Sequence, residues 1–101
     1  MNQVAGSTQG STAKLLLVED DSAIRRGLAQ TLTEAGYSVR EASTFIEAKR
    51  LLQVEQPDLL ITDIRLQEFN GLQLVLLIQA LYPSTRAIVI TGYTDPVIES
   101  V

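Results

Sequence analysis

Leu15-Leu16-Leu17-Val18-Glu19-Asp20-Asp21 decides the reading of this chain. Four consecutive aliphatic residues without polar alternation fit a strand buried on both faces, as in a parallel sheet. The run ends abruptly in carboxylates. From Ser22 the period changes. Ile24, Leu28, Leu32 and Ala35 recur every three or four residues, which is one stripe of a helix. Asp21 or Ser22 can cap its start, and Gly36 stands where a left-handed residue closes a helix.

The same alternation continues downstream. Tyr37 to Ala42 suits a strand exposed on one side. Ser43 or Thr44 can cap a second helix with Phe45, Ala48, Leu51 and Leu52 on one face, and Gln56-Pro57 ends it because the residue before Pro avoids the helical region. Leu59-Leu60-Ile61-Thr62-Asp63 is another buried strand ending in a carboxylate. Ile64 to Asn70 reads as a loop, and Gly71 to Leu81 as an apolar helix closed by Tyr82-Pro83. Ala87 to Thr91 is a fourth strand, Gly92 to Thr94 a loop, and Asp95-Pro96 an N-cap with Pro at the first helical position. The order βαβαβαβ implies a parallel sheet, and right-handed crossovers place helices on both of its faces.

Composition narrows the chemistry. The 101 residues, 46% of them hydrophobic, bound to one small domain. There is no Cys and no His. Disulfide scaffolds, thiol nucleophiles, Cys/His zinc sites and His general bases are thereby excluded. A metal, if bound, is a hard oxygen-liking ion such as Mg²⁺. Eight Lys and Arg against twelve Asp and Glu give a net charge of -4, which argues against direct nucleic-acid binding. No apolar run approaches the ~20 residues of a membrane span, and the first residues carry no signal-peptide pattern, so a cytoplasmic location is expected. Residues 1–13, MNQVAGSTQGSTA, read as a flexible tail.

Three strands end in polar groups: Glu19 and Asp20 after the first, Asp63 after the third, Thr91 at the end of the fourth. In open α/β sheets ligands bind beyond the carboxyl ends of the strands, where the strand order switches. If the order is 2-1-3-4, the first and third strands are neighbours, and Glu19, Asp20 and Asp63 converge. Clustered carboxylates repel unless a cation sits among them, and three oxygen ligands with waters describe a Mg²⁺ site. Helix capping is the plain alternative. It suits Asp21 best, and explains little at Asp63, where no helix begins before Gly71.

The acidic block after the first strand, the segment Asp63-Ile-Arg-Leu-Gln-Glu-Phe-Asn-Gly71 and the segment Ile88-Val89-Ile90-Thr91-Gly92 together resemble the response-regulator receiver domains of two-component signalling. The resemblance runs from Lys14 to Val101. It implies a CheY-like, flavodoxin-like doubly wound parallel sheet. It implies that Asp63 accepts a phosphoryl group from the phosphohistidine of a sensor kinase or phosphotransfer protein. Glu19, Asp20, Asp63 and the backbone carbonyl of Arg65 would hold Mg²⁺, and Thr91 would be the switch hydroxyl. Such a domain is a signalling phosphoacceptor and not an enzyme in the ordinary sense.

The sequence also departs from that family. Its usual Pro four residues after the phosphoacceptor is Gln67 here. Its fifth strand, with a phosphate-contacting Lys, and its last helix are not found, and the only lysines are Lys14 and Lys49. Residues 14–101 therefore read as a C-terminally incomplete receiver, with an uncovered stripe at Ile24, Leu28 and Leu32 and an open edge along Ala87 to Thr91. Losing several hundred Å² of burial costs on the order of 10 kcal/mol, comparable to a whole domain's stability, so self-association or poor folding is expected. An output domain would lie beyond Val101. The competing readings are an interaction module that is never phosphorylated and a toprim-like Mg²⁺-dependent phosphotransferase. The latter wants an Asp-x-Asp that Asp63-Ile64-Arg65 does not supply.

Overall fold

The computed structural model describes residues 12–66 and 70–90, together with the backbone of 98–100. Its elements are β1 (Lys14–Val18), α1 (Ser22–Glu34), β2 (Ser38–Ala42), α2 (Phe45–Glu55), β3 (Leu59–Asp63), α3 (Leu72–Leu81), β4 (Arg86–Ile90) and β5 (Ile98–Ser100). The sheet runs β2-β1-β3-β4-β5. The first four strands are parallel, in the expected order 2-1-3-4.

Local chemistry sets the element ends. The Ile24 N–H donates to Asp21 Oδ1 at 2.9 Å, so Asp21 is the cap of α1. Thr44 caps α2 by accepting from the Glu47 N–H at 3.1 Å. Gly36 follows α1 with φ 105°, a conformation that costs glycine no steric penalty. Gln56 closes α2 in the left-handed region, directly before Pro57.

Alternation along the buried strands divides the sheet. Leu16, Val18, Leu60, Ala87 and Val89 pack under Ala48, Leu51 and Leu52 of α2 and Leu74, Val75 and Ile78 of α3, forming the main core. The other face carries α1, whose only buried residue is Ala29. Its stripe stays out of the interior as expected, with Ile24 52% and Leu28 36% exposed.

The C-terminal end differs from the sequence reading. A helix beginning at Asp95-Pro96 and continuing through 100 does not form: Ile98–Ser100 is a short strand antiparallel to β4, pairing Ile90 with Ile98 and Ile88 with Ser100. The expected open edge of β4 is thus covered along Ile88 to Ile90. Unpaired strand N–H and C=O groups recruit extended chain, and this outweighs the helix signal of one capping dipeptide. The cap itself, and Thr91, lie outside the described residues, as do residues 1–11 of the tail and Gln67. Ala13 already joins the fold, its carbonyl accepting from the Ser38 N–H at 3.0 Å. Among the described residues, no helix is long and apolar enough to cross a membrane.

Candidate functional site

The register of the sheet builds the site. Val18 lies opposite Thr62 in the β1–β3 ladder, so the next residues, Glu19 and Asp63, leave adjacent strands side by side. Asp20 follows on the turn into α1. Carboxylate oxygens of Glu19, Asp20 and Asp63 lie within 4.8 Å of one another. The three residues that strand order was expected to unite are therefore united. They border a cavity of about 330 Å³ whose remaining walls are largely apolar, from Leu17, Ile24, Leu28, Ile61 and Ile90.

Glu19 is the innermost of the three, only 8% exposed. Burial is the main reason its carboxyl is pushed up to about 7. The Asp21 N–H donates to Glu19 Oε2 at 3.0 Å and opposes that rise; the Asp20 hydrogen bond and the charges of Asp63 and Asp20 add to it. The backbone around Glu19 is fixed from two sides. Its N–H donates to the Ala42 carbonyl of β2 at 3.1 Å, and its carbonyl accepts from Arg25 Nη1 at 2.9 Å. Arg25 also bonds Glu41 through Nε at 3.1 Å.

Asp63 ends β3 and accepts the Arg65 N–H on Oδ1 at 3.3 Å. The Gly71 N–H donates to the Ile64 carbonyl at 2.9 Å, closing the loop against the strand. A Cβ at Gly71 would overlap the Asp63 carbonyl oxygen and stand 2.9 Å from Thr62 Oγ1. This explains physically why the segment from Asp63 ends in glycine eight residues later. The chain can return this close to its own strand only where it has no side chain.

The donor set suits Mg²⁺. It is all oxygen, it comes from three carboxylates, and one of them is buried enough to hold a proton near neutral pH unless a cation compensates it. Arg65 sits two residues beyond Asp63, where the resemblance put a carbonyl ligand. Thr91 lies outside the described residues. Lys14 opens β1 at the opposite end of the sheet, its N–H on Asp58 Oδ2, and Lys49 is exposed on α2. Sequence reasoning missed Arg25. The signal available was a basic residue one helical turn after the capping Asp21.

Known proteins bear on this geometry. The family model of the response regulator receiver domain matches residues 15–100. The transcriptional regulatory protein GlrR of Escherichia coli is 41% identical over 81 residues, covering 80% of this chain and 18% of its own length. The photosynthetic apparatus regulatory protein RegA of Rhodobacter capsulatus is 36% identical over 84 residues, 83% of this chain and 46% of its own. The chain thus spans a minor part of these regulators. Among solved structures, a CheY-like receiver domain protein from Methanospirillum hungatei superposes with a TM-score of 0.78 at 33% identity, covering 84% of this chain and 68% of its own. With its strand order, its acidic strand ends and the family match over residues 15–100, the chain belongs to the response-regulator receiver domains of two-component systems.

Proposed function

We propose that this receiver takes a phosphoryl group onto Asp63 from the phosphohistidine of a sensor kinase or phosphotransfer protein. The observation that carries the reading is the meeting of Glu19, Asp20 and Asp63 within 4.8 Å at the carboxyl ends of adjacent parallel strands. An Asp63 carboxylate oxygen attacks phosphorus, the donor's N–P bond breaks, and the imidazole leaves with that electron pair. The product is an acyl phosphate on Asp63. Glu19, Asp20 and Asp63 would hold Mg²⁺, with the Arg65 carbonyl as a further ligand. When bound, the cation offsets charge developing on the phosphoryl oxygens. The protein's own part is placement. The β3 register and the Gly71 approach hold Asp63 at the cavity, and Glu19 is the more buried carboxylate, which leaves Asp63 the better placed for a bulky donor. Thr91 is assigned the switch hydroxyl, and the cytoplasm the site of action. On this reading the domain is a phosphoacceptor and not an enzyme that turns over separate substrates.

Incubation with acetyl phosphate and Mg²⁺, followed by intact mass, tests this. Wild type should gain one phosphoryl group, and Asp63→Asn none. Equal yield in both proteins would place the acceptor elsewhere. A second reading, an interaction module that is never phosphorylated, is favoured by one observation: both lysines lie away from the cluster. Asp63-specific labelling at any rate supports the first reading, and no labelling of either protein the second.

A further inference from the structure

We infer that Arg25 is a positioning residue of the acidic cluster, holding the Glu19 carbonyl so that the Glu19 and Asp20 carboxylates stay gathered for a divalent cation. The inference rests on the Mg²⁺ reading above and names what keeps that site assembled.

The geometry is a closed ring across three elements. From α1, the Arg25 guanidinium reaches back to the Glu19 carbonyl with Nη1 and sideways to Glu41 of β2 with Nε, at 2.9 and 3.1 Å. Next to Glu41, the Ala42 carbonyl accepts the Glu19 N–H. Glu19 is therefore gripped at both backbone groups, and its carboxylate is aimed by the Asp21 N–H. The Arg25 side chain is only 15% exposed, unlike a free surface partner. A planar fork with several fixed donors can satisfy two acceptors at once, which a lysine ammonium on a flexible stem does less well.

Simple ion pairing is a poor account of this residue. Its partner Glu41 is 38% exposed, and pairs with a solvent-exposed partner contribute little, about 0–1 kcal/mol. Coulomb's law also works against cation binding, because a fixed positive charge beside the cluster repels Mg²⁺. If Arg25 acted through its charge, removing it would tighten Mg²⁺ binding. If it acts by holding the Glu19–Asp20 backbone, removing it loosens binding. The two accounts predict opposite signs.

The experiment is Mg²⁺ titration of the chain, followed by the amide NMR shifts of Glu19, Asp20 and Asp21, in wild type, Arg25→Gln and Arg25→Lys. Thermal unfolding without metal is measured alongside. Loss of groups that orient metal ligands typically costs 10–100-fold in affinity, so Arg25→Gln should bind Mg²⁺ about tenfold more weakly. Arg25→Lys keeps the charge and should still bind more weakly than wild type, which assigns the loss to geometry. Affinity equal to or tighter than wild type in both variants overturns the inference. Should Arg25→Gln fail to fold, Arg25→Lys alone decides by the same criterion. Absence of saturable binding in wild type would instead overturn the Mg²⁺ reading, and with it this role. Saturable wild-type binding with unchanged variants would sink the Arg25 role alone.

Discussion

Glu19 shows how one buried carboxylate couples folding, pH and metal. Its carboxyl is pushed up to about 7 from an ordinary 4.5, mainly by burial. A group with a raised folded-state pKa stabilises the fold fully below its unfolded value and loses that contribution as pH rises through the folded value. Without divalent cations, the thermal midpoint should therefore fall between pH 4.5 and 7, and Glu19→Gln should flatten that slope. A wild-type profile as flat as the variant's would place Glu19 outside the buried cluster. Metal requires the carboxylate form, so Mg²⁺ affinity should climb over the same interval. Asp20 offers a simpler comparison: Asp20→Asn removes a charged ligand and should weaken Mg²⁺ about tenfold or more in the same titration. At Gly71 the constraint is steric. A methyl group there meets strand backbone, which cannot swing aside like a side-chain tip. Gly71→Ala should cost about 3 kcal/mol in urea unfolding, at the upper end for overpacking. A loss under about 0.5 kcal/mol would mean that the Asp63 strand yields easily.

At the scale of elements, helix starts are set by single side chains. Thr44 accepts the Glu47 N–H while Glu47 Oε1 accepts the Ser43 N–H at 3.2 Å, so each satisfies a donor of the other's turn. Thr44→Ala should lower stability by about 1 kcal/mol without altering Mg²⁺ binding, since α2 packs on the core face away from the cluster. Matched losses of stability and affinity would show that α2 reaches the site. These starts were legible in the sequence because capping is local. Asp21 and Thr44 stand directly before apolar stripes of helical period. Parallel pairing was legible for a different reason: unbroken runs such as Leu15 to Val18 demand cover on both faces, whereas the order 2-1-3-4 was supposed and carried by the family resemblance. The acidic trio followed from that order. The strand at Ile98–Ser100 was not legible, because its formation depends on a vacancy beside β4 and not on its own sequence. Arg25 escaped for the same kind of reason. Its two partners, Glu19 and Glu41, come together only once β1 and β2 are paired in register.

The whole molecule is two unequal halves around one sheet. The α2 and α3 side holds a continuous core, whereas the α1 side leaves Ile24 and Leu28 at the mouth of an apolar cavity beside the cluster. Full burial of one such aliphatic side chain is worth roughly 1.5–3 kcal/mol, so a few of them meeting across two copies give an appreciable drive to associate. Opposing this, a net charge of -4 makes copies repel. That repulsion is screened over about 8 Å at 0.15 M salt and 3 Å at 1 M, while apolar contact is not weakened by screening. The apolar term should therefore win as salt rises. We expect sedimentation to show concentration-dependent association that strengthens from low to high sodium chloride, and Leu28→Asp to suppress it by placing a charge on the exposed stripe. Association that weakened with salt would assign it to charged groups. A compact monomer at every concentration, with one sharp thermal transition, would show that α1, which packs on β1 and β2, already covers enough of this face. Leu15 and Leu17, 3% and 1% exposed on that same face, give such an outcome a physical basis: the centre of the sheet is sealed even where its rim is open. Ile61 and Ile90, half-buried at that rim, line the same cavity as Ile24 and Leu28, so the four present one apolar patch to a second copy.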